Sequence, residues 1–245
     1  MVYVHPTSAV EKLPLHYNQD YYAEWISVQR KKRERMWDRR LKSIENVMPG
    51  GTILDVGCGD GLFLELAQKN GWQVEGTELS PFAVRYASAA LQRSVFGGEL
   101  WEAGFPAHCF DVVTMWHVLE HTRDPLRVVK EARRVLKAEG YLILAVPNVN
   151  DHLMRLTYRI VKGHAPRLFS PKDKELHFFH FSAKTIQALL ERSGFKCIYV
   201  RPDFGIVEAP KRLINFFAAI PYYIGNFHIS NSLEIAAIPV ESERA

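Results

Sequence analysis

The sequence predicts an α/β fold built on a doubly wound, mostly parallel sheet, and two observations carry this prediction. Short apolar segments alternate with amphipathic segments of about ten to fifteen residues between residues 52 and 202. The segment YLILAVPN, residues 141–148, is apolar without alternation, as expected of a strand buried on both faces of a sheet. Strands and helices that alternate in this way form a sheet covered by helices on both sides.

The individual elements follow from local signals. Ser80-Pro81 and Asp124-Pro125 each combine a helix N-cap residue with a proline suited to the first helical position. Glycine closes the helix that follows Pro125, at Gly140. The predicted helices are residues 61–71, 80–91, 125–140 and 182–194. The predicted strands are residues 52–56, 72–79, 110–116, 141–148, 195–202 and 232–240.

The segments outside this alternation set the predicted domain boundaries. Residues 1–48 are predicted to form an N-terminal arm and a basic capping helix, which spans about 23–47 and stops before Pro49-Gly50-Gly51. Residues 49–245 are predicted to form the main domain. Two stretches, 149–176 and 203–231, interrupt the pattern, and loops of this length usually act as lids or binding elements.

Charge is concentrated in one place. Residues 30–45 carry eight Lys or Arg and three Asp or Glu, while the whole chain has a net charge of +4. The remainder is therefore about neutral, and we expect no nucleic-acid partner. A solvated helix face is the interpretation we favour for this basic segment, with phosphate, an acidic glycan or an anionic membrane as alternatives.

Composition favours a cytoplasmic globular protein. The chain is 47% hydrophobic and 24% charged, with three cysteines that occur singly. Sparse, unpaired cysteines argue against a disulfide framework and for a reducing compartment. The N-terminus lacks a signal-peptide pattern, and no apolar run of about 18 residues predicts a membrane span.

A glycine-rich loop follows the first strand of the alternation. In ILDVGCGDG, Gly57, Gly59 and Gly61 permit a sharp turn and close approach of the backbone to a ligand at the start of a helix. Asp55 lies inside the preceding strand, where a carboxylate needs a partner. Glu78 ends the second strand, 21 residues after Gly57, where an acid accepts hydrogen bonds from ribose hydroxyls. Together these residues predict a nucleoside-binding unit.

At this point the sequence resembles the class I S-adenosylmethionine-dependent methyltransferases. The resemblance is carried by ILDVGCGDG with the downstream Glu78-Leu79-Ser80, by FDVVTMWHVLEHTRDP, by YLILAVPN and by LHFFHFSAKTIQALLERSGF. The sequence is most similar to the bacterial small-molecule and glycan enzymes and to the ubiquinone-type O-methyltransferases. The resemblance implies a seven-stranded, Rossmann-like methyltransferase sheet with an antiparallel last strand.

The resemblance also implies S-adenosylmethionine as cofactor. Asp55 and the loop from Gly57 through Cys58 and Gly59 to Gly61 would hold its methionine end, and Glu78 its ribose. The remaining implied contacts are Leu79 against the adenine, Glu99 and Leu100 near the adenine amino group, and Met115 and Trp116 beside the sulfonium. The aromatic cluster of residues 17–25 would close over the cofactor.

A histidine-rich segment follows the strand 110–116. Residues 117–121, HVLEH, spell the H-x-x-E-H pattern of one class of zinc peptidases, and a second pair, His177 and His180, follows the first interrupting stretch. Within a helical turn, His117, Glu120 and His121 would share one face at the carboxyl end of the strand, where open sheets bind ligands. The candidate catalytic residues are His117, Glu120, His121 and His180.

Three roles for this cluster are left open by the sequence. The side chains shape the pocket, or a histidine takes a proton from the methyl acceptor, or the cluster with a downstream histidine binds a divalent metal. A metal-dependent hydrolase and a non-catalytic cofactor-binding module are the alternative functions. The strand directly before the pattern and the break at residues 122–125 argue against the peptidase.

The expected reaction is O-methylation of a small-molecule, glycan or lipid-linked acceptor. Residues 204–229 form a dense aromatic and aliphatic segment, interrupted by Pro221 and Gly225. A packed lid, a dimer contact and peripheral contact with the inner membrane surface are the interpretations of this segment. The oligomeric state is not predicted.

Overall fold

The structure is a computed structural model, and it describes residues 2–3, 22, 26, 30–164, 176–205 and 209–240. Its strands are β1 (Val2–Tyr3), β2 (Thr52–Val56), β3 (Gln73–Glu78), β4 (Phe96–Gly97), β5 (Phe110–Trp116), β6 (Leu136–Pro147), β7 (Phe179–His180), β8 (Phe195–Pro202) and β9 (Ser232–Pro239). Its helices are α1 (Arg30–Glu45), α2 (Leu62–Lys69), α3 (Pro81–Leu91), α4 (Pro125–Val135), α5 (His152–Lys162), α6 (Ala183–Arg192) and α7 (Ala209–Gly225).

Seven strands form the central sheet in the order β4-β3-β2-β5-β6-β9-β8. The pairings among β4, β3, β2, β5 and β6 are parallel, and β9 is antiparallel to both β6 and β8. One core packs α4 and α6 against the sheet, and a second core packs α1, α2 and α3 against it. The predicted doubly wound, mostly parallel sheet with an antiparallel last strand is therefore confirmed.

A small second sheet lies beside the main one. The strand β1 pairs with β7 in antiparallel orientation, with Val2 opposite His180 and Tyr3 opposite Phe179. The sequence analysis predicted neither of these two-residue strands, because each is too short to show a periodic pattern.

The boundary between α4 and β6 corrects one prediction. We expected a helix to Gly140, but α4 ends at Val135 and β6 begins at Leu136. Leu136 pairs with Phe110 before the register between the two strands shifts. A side chain at Gly140 would approach the Asp111 carbonyl oxygen to 2.9 Å, so this glycine permits close contact between strands and does not end a helix.

The basic helix α1 packs onto the main domain. Met36, Leu41 and Ile44 are buried, and they are joined by two buried cations, Arg33 and Arg40. The favoured interpretation of the basic segment as a solvated face is therefore wrong for these two arginines. The predicted start of this helix at residue 23 and the domain boundary at residue 48 stay predictions.

Each interrupting stretch contains a helix that the sequence analysis did not predict. Within residues 149–176 the helix is α5, and within 203–231 it is α7, which continues through Pro221 and ends at Gly225. Pro221 therefore interrupts the apolar run of the sequence without ending the helix. Among the described helices, none has the length and apolar character needed to cross a membrane.

Candidate active site

The glycine loop lies between β2 and α2 at the carboxyl end of the sheet. Gly57, Gly59 and Gly61 all adopt left-handed backbone conformations, with φ of +68°, +58° and +76°. A Cβ at Gly57 would lie 2.8 Å from Val118 Cγ2, and one at Gly61 would lie 2.9 Å from Ala87 Cβ. Both the dihedral angles and the close packing therefore require glycine here.

Glu78 is buried at the end of β3 and connects the loop to the next helix. Its Oε2 accepts a hydrogen bond from the Gly59 N–H at 2.9 Å, and its Oε1 accepts one from the Ser80 N–H at 2.8 Å. Burial raises the pKa of this carboxyl, while the backbone N–H donors oppose the shift. The side chain thus has the position predicted for the ribose-binding acid.

Asp55 is buried inside β2, next to the loop. Thr114 Oγ1 on the neighbouring strand β5 donates a hydrogen bond of 2.6 Å to Asp55 Oδ1. Burial raises the pKa of Asp55 to about 7; the Thr114 hydrogen bond opposes this rise, and the Glu78 carboxylate adds to it. Thr114 was not predicted from the sequence, although its hydroxyl is the partner that a carboxylate within a strand needs.

The other predicted loop residues lie near these carboxyls. Cys58 is buried, and its Sγ would lie 3.0 Å from a Cβ at Gly76, so the thiol packs under the loop. Burial raises the pKa of the Cys58 thiol well above its usual value. Leu79 is half-buried directly after β3.

Glu99 and Leu100 lie at the same edge of the sheet. The pairing of β3 with β4 places Glu78 opposite Gly97, two residues before Glu99. Glu99 is half-buried, and burial raises its pKa while the nearby Arg123 opposes the shift. Leu100 is buried and begins a short 3-10 turn.

Met115 and Trp116 end β5 and are both buried. The Trp116 ring contacts the rings of Trp37 and Phe63, each with centroids 5.8 Å away. The Arg40 guanidinium lies over the Trp116 ring at 4.2 Å, within the range of a cation–π interaction. Trp116 is therefore held by both the sheet and α1.

Tyr22 is the described member of the N-terminal aromatic cluster. Its ring lies 3.7 Å from the position that a Gly59 Cβ would occupy, and its centroid is 6.1 Å from that of Phe82. The other residues of the cluster, Tyr17, Tyr21 and Trp25, lie outside the described residues. Tyr22 covers the glycine loop, and closure of the whole cluster over a cofactor stays a prediction.

The H-x-x-E-H segment forms a turn and not the helical turn that the spacing suggested. His117 has φ of +58°, a left-handed conformation that is uncommon outside glycine, and the His121 N–H donates to the Val118 carbonyl at 2.9 Å. Strained conformations of this kind concentrate at functional sites.

His117 lies between two carboxylates. Its Nε2 is 3.3 Å from Asp203 Oδ2, and its Nδ1 is 3.3 Å from Glu120 Oε1. Burial disfavours the charged imidazolium, but the two carboxylates outweigh this effect and raise the pKa of His117 to about 9. The imidazole therefore carries a positive charge at neutral pH, and neither nitrogen is suited to act as a general base there.

Asp203 is a site residue that the sequence analysis did not identify. Arg40 Nη2 lies 2.7 Å from both of its carboxylate oxygens, and Asn215 Nδ2 donates to its carbonyl at 2.7 Å. Burial would raise the pKa of Asp203, but the charges of Arg40 and His117 hold it well below its usual range. Its position directly after β8, close to a strand end as Glu78 is in β3, is the sequence signal that could have identified it.

Glu120 is a buried carboxylate without a well-aligned hydrogen-bond donor in the described part of the chain. Burial alone would raise its pKa, but His117 and the neighbouring imidazoles of His121 and His177 lower it. The carboxylate is therefore ionised and able to accept a hydrogen bond from a ligand.

His121 has a defined tautomer. Its Nδ1 lies 2.8 Å from the Leu176 carbonyl oxygen, which can only accept, so Nδ1 carries a hydrogen and, in the neutral ring, Nε2 is the nitrogen that can accept a proton. Nε2 lies 4.0 Å from Glu120 Oε1. The His177 ring is 4.8 Å from that of His121 and 6.0 Å from that of His180, so the fold brings the two predicted histidine pairs together.

One combination of these side chains has the geometry of a metal site. Single ligand atoms of Glu120, His121 and His177 all lie within 4.8 Å of one another. Two imidazoles and one carboxylate are ligands that borderline ions such as Zn²⁺ accept. His117, which the sequence pattern suggested as a ligand, is instead occupied by Asp203 and Glu120. The alternative of a metal-dependent hydrolase needs both histidines of the H-x-x-E-H pattern as metal ligands on one helix. Residues 117–121 do not form that helix, and His117 is paired with two carboxylates instead.

Comparison with known proteins agrees with this geometry. Residues 17–200 match the family model described as a methyltransferase domain. The chain belongs to this methyltransferase family. It is 29% identical to the demethylmenaquinone methyltransferase of Bacillus licheniformis, over 77% of this chain and 89% of that protein.

A second group of relatives is matched over a shorter region. The ubiquinone biosynthesis O-methyltransferase of Thiobacillus denitrificans is 34% identical over 45% of this chain and 51% of its own length. The chain thus spans about half the length of this relative.

Solved structures share the fold. An S-adenosylmethionine-dependent methyltransferase from Thermotoga maritima, described as a possible histamine N-methyltransferase, superposes with a TM-score of 0.61 at 20% identity, covering 92% of this chain and 97% of that chain. A methyltransferase from Archaeoglobus fulgidus gives 0.59 at 18% identity, covering 89% and 99%. These likenesses show the fold, while the family match shows an S-adenosylmethionine-dependent enzyme.

The residues of the methyltransferase fit this cofactor. The glycine loop, with no side chain at three of its five positions, lies at a helix start, and two buried carboxyls, Asp55 and Glu78, lie beside it on adjacent strands. This combination of a loop with positive φ and adjacent acids suits a ligand with an amino acid end and a ribose.

Proposed function

We propose that this methyltransferase transfers the methyl group of S-adenosylmethionine to a hydroxyl oxygen of a small lipophilic acceptor, such as a phenolic or quinol ring. The relatives named demethylmenaquinone methyltransferase and ubiquinone biosynthesis O-methyltransferase support this class of acceptor. One observation carries the proposal of an oxygen acceptor. Glu120 is a buried, ionised carboxylate without a well-aligned donor among the described residues, beside a histidine with a basic nitrogen.

In this proposal the carboxyl edge of β2, β3 and β5 holds the cofactor. Asp55 and the loop 57–61 receive its methionine end, Glu78 its ribose, and Leu79, Glu99 and Leu100 surround its adenine. The support is positional, because these residues share one edge of adjacent parallel strands. Tyr22 covers the loop and excludes water from it.

S-adenosylmethionine supplies a methyl group on a positively charged sulfur, which leaves with the bonding electrons when a nucleophile attacks the carbon. The chain's own task is to align the acceptor oxygen with the methyl group and to remove the hydroxyl proton. Met115 and Trp116 end β5 directly before His117, so they border the point at which the two ligands meet.

The proton is removed by His121 in this proposal. His121 Nε2 accepts the hydrogen bond from the acceptor hydroxyl and takes its proton, and the ionised Glu120, 4.0 Å from Nε2, stabilises the imidazolium that forms. The Leu176 carbonyl holds the required tautomer. His117, positively charged between Asp203 and Glu120, keeps Glu120 ionised and in place. His180 supports the imidazole cluster through His177.

The test combines cofactor binding with turnover. Calorimetry of the wild-type protein should detect binding of S-adenosylmethionine. His121→Ala should lower kcat by about 10²- to 10⁴-fold, the usual contribution of a positioned general base, with cofactor affinity unchanged within about twofold. Imidazole added to the solution should restore part of the activity of this variant. Turnover is measured by mass spectrometry of methylated catechol-type acceptors.

The matched control is His108→Ala, at the opposite end of the same strand. His108 lies before β5 and hydrogen-bonds the Leu136 carbonyl at 2.9 Å, far from the carboxyl edge. It should retain near wild-type turnover. If His121→Ala keeps full activity, or if imidazole restores nothing, His121 is not the proton acceptor.

Metal removal separates proton transfer from metal assistance. In the proposed mechanism, dialysis against a chelator leaves turnover unchanged, because His121 and not a metal-bound group receives the proton. Loss of activity on chelation, with recovery on addition of Zn²⁺ or Mg²⁺, would assign Glu120, His121 and His177 as ligands instead.

A further inference from the structure

Helix α7 faces the protein with its small residues and faces outward with its large apolar ones. Asn215, Ala218 and Ala219 are each 1% exposed, whereas Ile224 is 82% exposed. The outward residues recur at helical spacing on one face. They are Leu213, Phe216, Phe217, Ile220, Tyr223 and Ile224. A helix that only covered a core would have the opposite arrangement.

Helix α5 also exposes most of its apolar residues. None of its residues is buried by the described part of the chain, and Leu156, Ile160 and Val161 are exposed. At 100° per residue, Arg155, Arg159 and Lys162 fall within one narrow strip of the helix, and the rest of its circumference is mainly apolar. Wide apolar and narrow basic faces are typical of helices that lie in a membrane interface.

The two helices are tied together at their ends. Asn148, just before α5, donates through Nδ2 to the carbonyls of His228 and Ser230 at 3.0 and 2.9 Å. Asn231 Nδ2 donates to Asp151, the N-cap of α5, at 3.0 Å. The exposed apolar residues of α5 and α7, which we call the α5–α7 surface, therefore belong to one connected region.

This region lies at the acceptor side of the sheet. Helix α5 follows the carboxyl end of β6 and α7 follows that of β8, the edge that also carries His117. Asn215 of α7 holds the carbonyl of Asp203, whose carboxylate contacts His117. An acceptor that leaves a lipid phase beside α7 would thus arrive next to the histidine cluster.

The charge of both helices is of one sign. Residues 152–162 and 209–225 contain five Lys or Arg and no Asp or Glu. A cleft of about 340 Å³ is lined by His152, Arg155, Leu156 and Arg159, which combine two guanidinium groups with apolar surface. Arginines beside exposed aliphatic side chains complement the anionic headgroups and acyl chains of a phospholipid surface.

We propose that the α5–α7 surface docks on an anionic lipid membrane. The apolar side chains enter the interface and the basic strip of α5 contacts the phosphate groups. A second copy of this chain would bring the same positive charges against each other, so charge complementarity favours the membrane. The proposal does not depend on which atom is methylated, and it gives a lipophilic acceptor a short path to the site.

The test is flotation of the full chain with vesicles. Vesicles with roughly 30% phosphatidylglycerol in phosphatidylcholine should carry the wild-type protein, and vesicles of phosphatidylcholine alone should carry at least about tenfold less. About 0.5 M salt should weaken binding to the anionic vesicles. The double variant Phe216→Glu with Ile224→Glu should reduce the bound fraction at least about tenfold, because it places charge in the apolar face.

Two further variants separate the contributions. Val47→Glu makes the same kind of change at an exposed apolar residue before β2, at the opposite edge of the sheet, and should bind like wild type. Arg155→Gln with Arg159→Gln should remove the preference for anionic lipid without affecting S-adenosylmethionine binding. Since the assay needs no turnover, its result is independent of the proposed acceptor chemistry.

Specific outcomes would overturn the proposal. Wild-type protein that stays unbound with anionic vesicles would refute it. So would sedimentation velocity showing a dimer that Phe216→Glu with Ile224→Glu dissociates, combined with no flotation. Binding that both the Val47→Glu control and the double variant reduce equally would show that the α5–α7 surface is not the membrane contact.

Discussion

Asp55 illustrates the conflict between stability and binding at a single residue. Its carboxyl is buried within β2, and burial raises its pKa to about 7 despite the hydrogen bond from Thr114. A raised folded-state pKa in an acid means that stability is fully present below the unfolded value of about 3.9 and is lost as pH rises through 7. Once ionised, the side chain therefore destabilises the fold, which is consistent with the role in cofactor binding proposed for it.

We predict that Asp55→Asn stabilises the protein and impairs cofactor binding. Asparagine keeps the oxygen that accepts from Thr114 but cannot ionise, so the free energy of unfolding at pH 8 should rise by roughly 1–3 kcal/mol. The affinity for S-adenosylmethionine should fall by about tenfold or more, since a charge-assisted contact is lost.

Urea unfolding at pH 8 and pH 4, with calorimetry of the cofactor, measures both effects. The stabilisation should disappear at pH 4, where the wild-type carboxyl is protonated in the folded state. A variant that is less stable than wild type at pH 8 would show that Asp55 is not a destabilising charge.

The site residues that the sequence identified have signals close to them in the chain. Gly57, Gly59 and Gly61 stand in a turn between a strand and a helix, and Glu78 ends the next strand. The charge on His117 had no such signal, because it depends on Asp203, 86 residues away. The sequence therefore predicted the place of the histidine cluster but not the protonation of its members.

For helix α1, the basic sequence pattern led to a wrong prediction for two arginines. Eight cations within sixteen residues are typical of a solvated face, yet Arg33 reaches Asp60 in the glycine loop at 2.6 Å and Arg40 reaches Asp203 at 2.7 Å. Lysine and arginine pack their aliphatic stems against apolar surface while their charged ends find partners. Hydropathy alone cannot distinguish such an arginine from an exposed one.

We predict that Arg40→Met strongly destabilises the protein. It leaves Asp203 buried with His117 as its remaining cationic contact, and breaking a buried pair from one side costs about 3 kcal/mol. For a chain of this size the melting temperature should fall by roughly 6–12 °C.

Lys42→Met on the same helix is the matched control. Lys42 pairs with Asp38 at 2.8 Å, with side chains 68% and 46% exposed, so its loss should leave the melting temperature nearly unchanged. Differential scanning calorimetry compares the two variants. Equal, small changes would mean that the Arg40 pair contributes no more than an exposed one.

The whole molecule should be most stable at mildly acidic pH. The pKa of His117 is raised to about 9. Its contribution to the free energy of unfolding is therefore complete below about pH 6.5 and is lost as pH rises through 9. Ionisation of Asp55 lowers the free energy of unfolding further between about pH 4 and 7. On the acid side, Asp203 and Glu120 have lowered pKa values, so their contribution is lost as pH falls.

We predict that the free energy of unfolding falls between pH 6.5 and 9, and that His117→Gln removes most of this decline. The imidazole side chain is 37% exposed, so solvent screening reduces the expected contribution to about 1 kcal/mol. Urea midpoints measured across this pH range give the comparison. A wild-type curve as flat as that of the variant would show that His117 is not charged in the folded protein.

The sequence by itself determined the alternation of strands and helices, the glycine loop and the acid at the end of β3. These features are local, because backbone sterics, helix capping and the periodicity of hydrophobic residues act between neighbours in the chain. They can therefore be predicted without knowing the fold. Only the tertiary structure decided that residues 117–121 form a turn with a charged His117, and that α7 faces outward with its aromatic side. Both depend on contacts far apart in sequence, such as Arg40 with Asp203 across 163 residues, which exist only once the sheet has assembled.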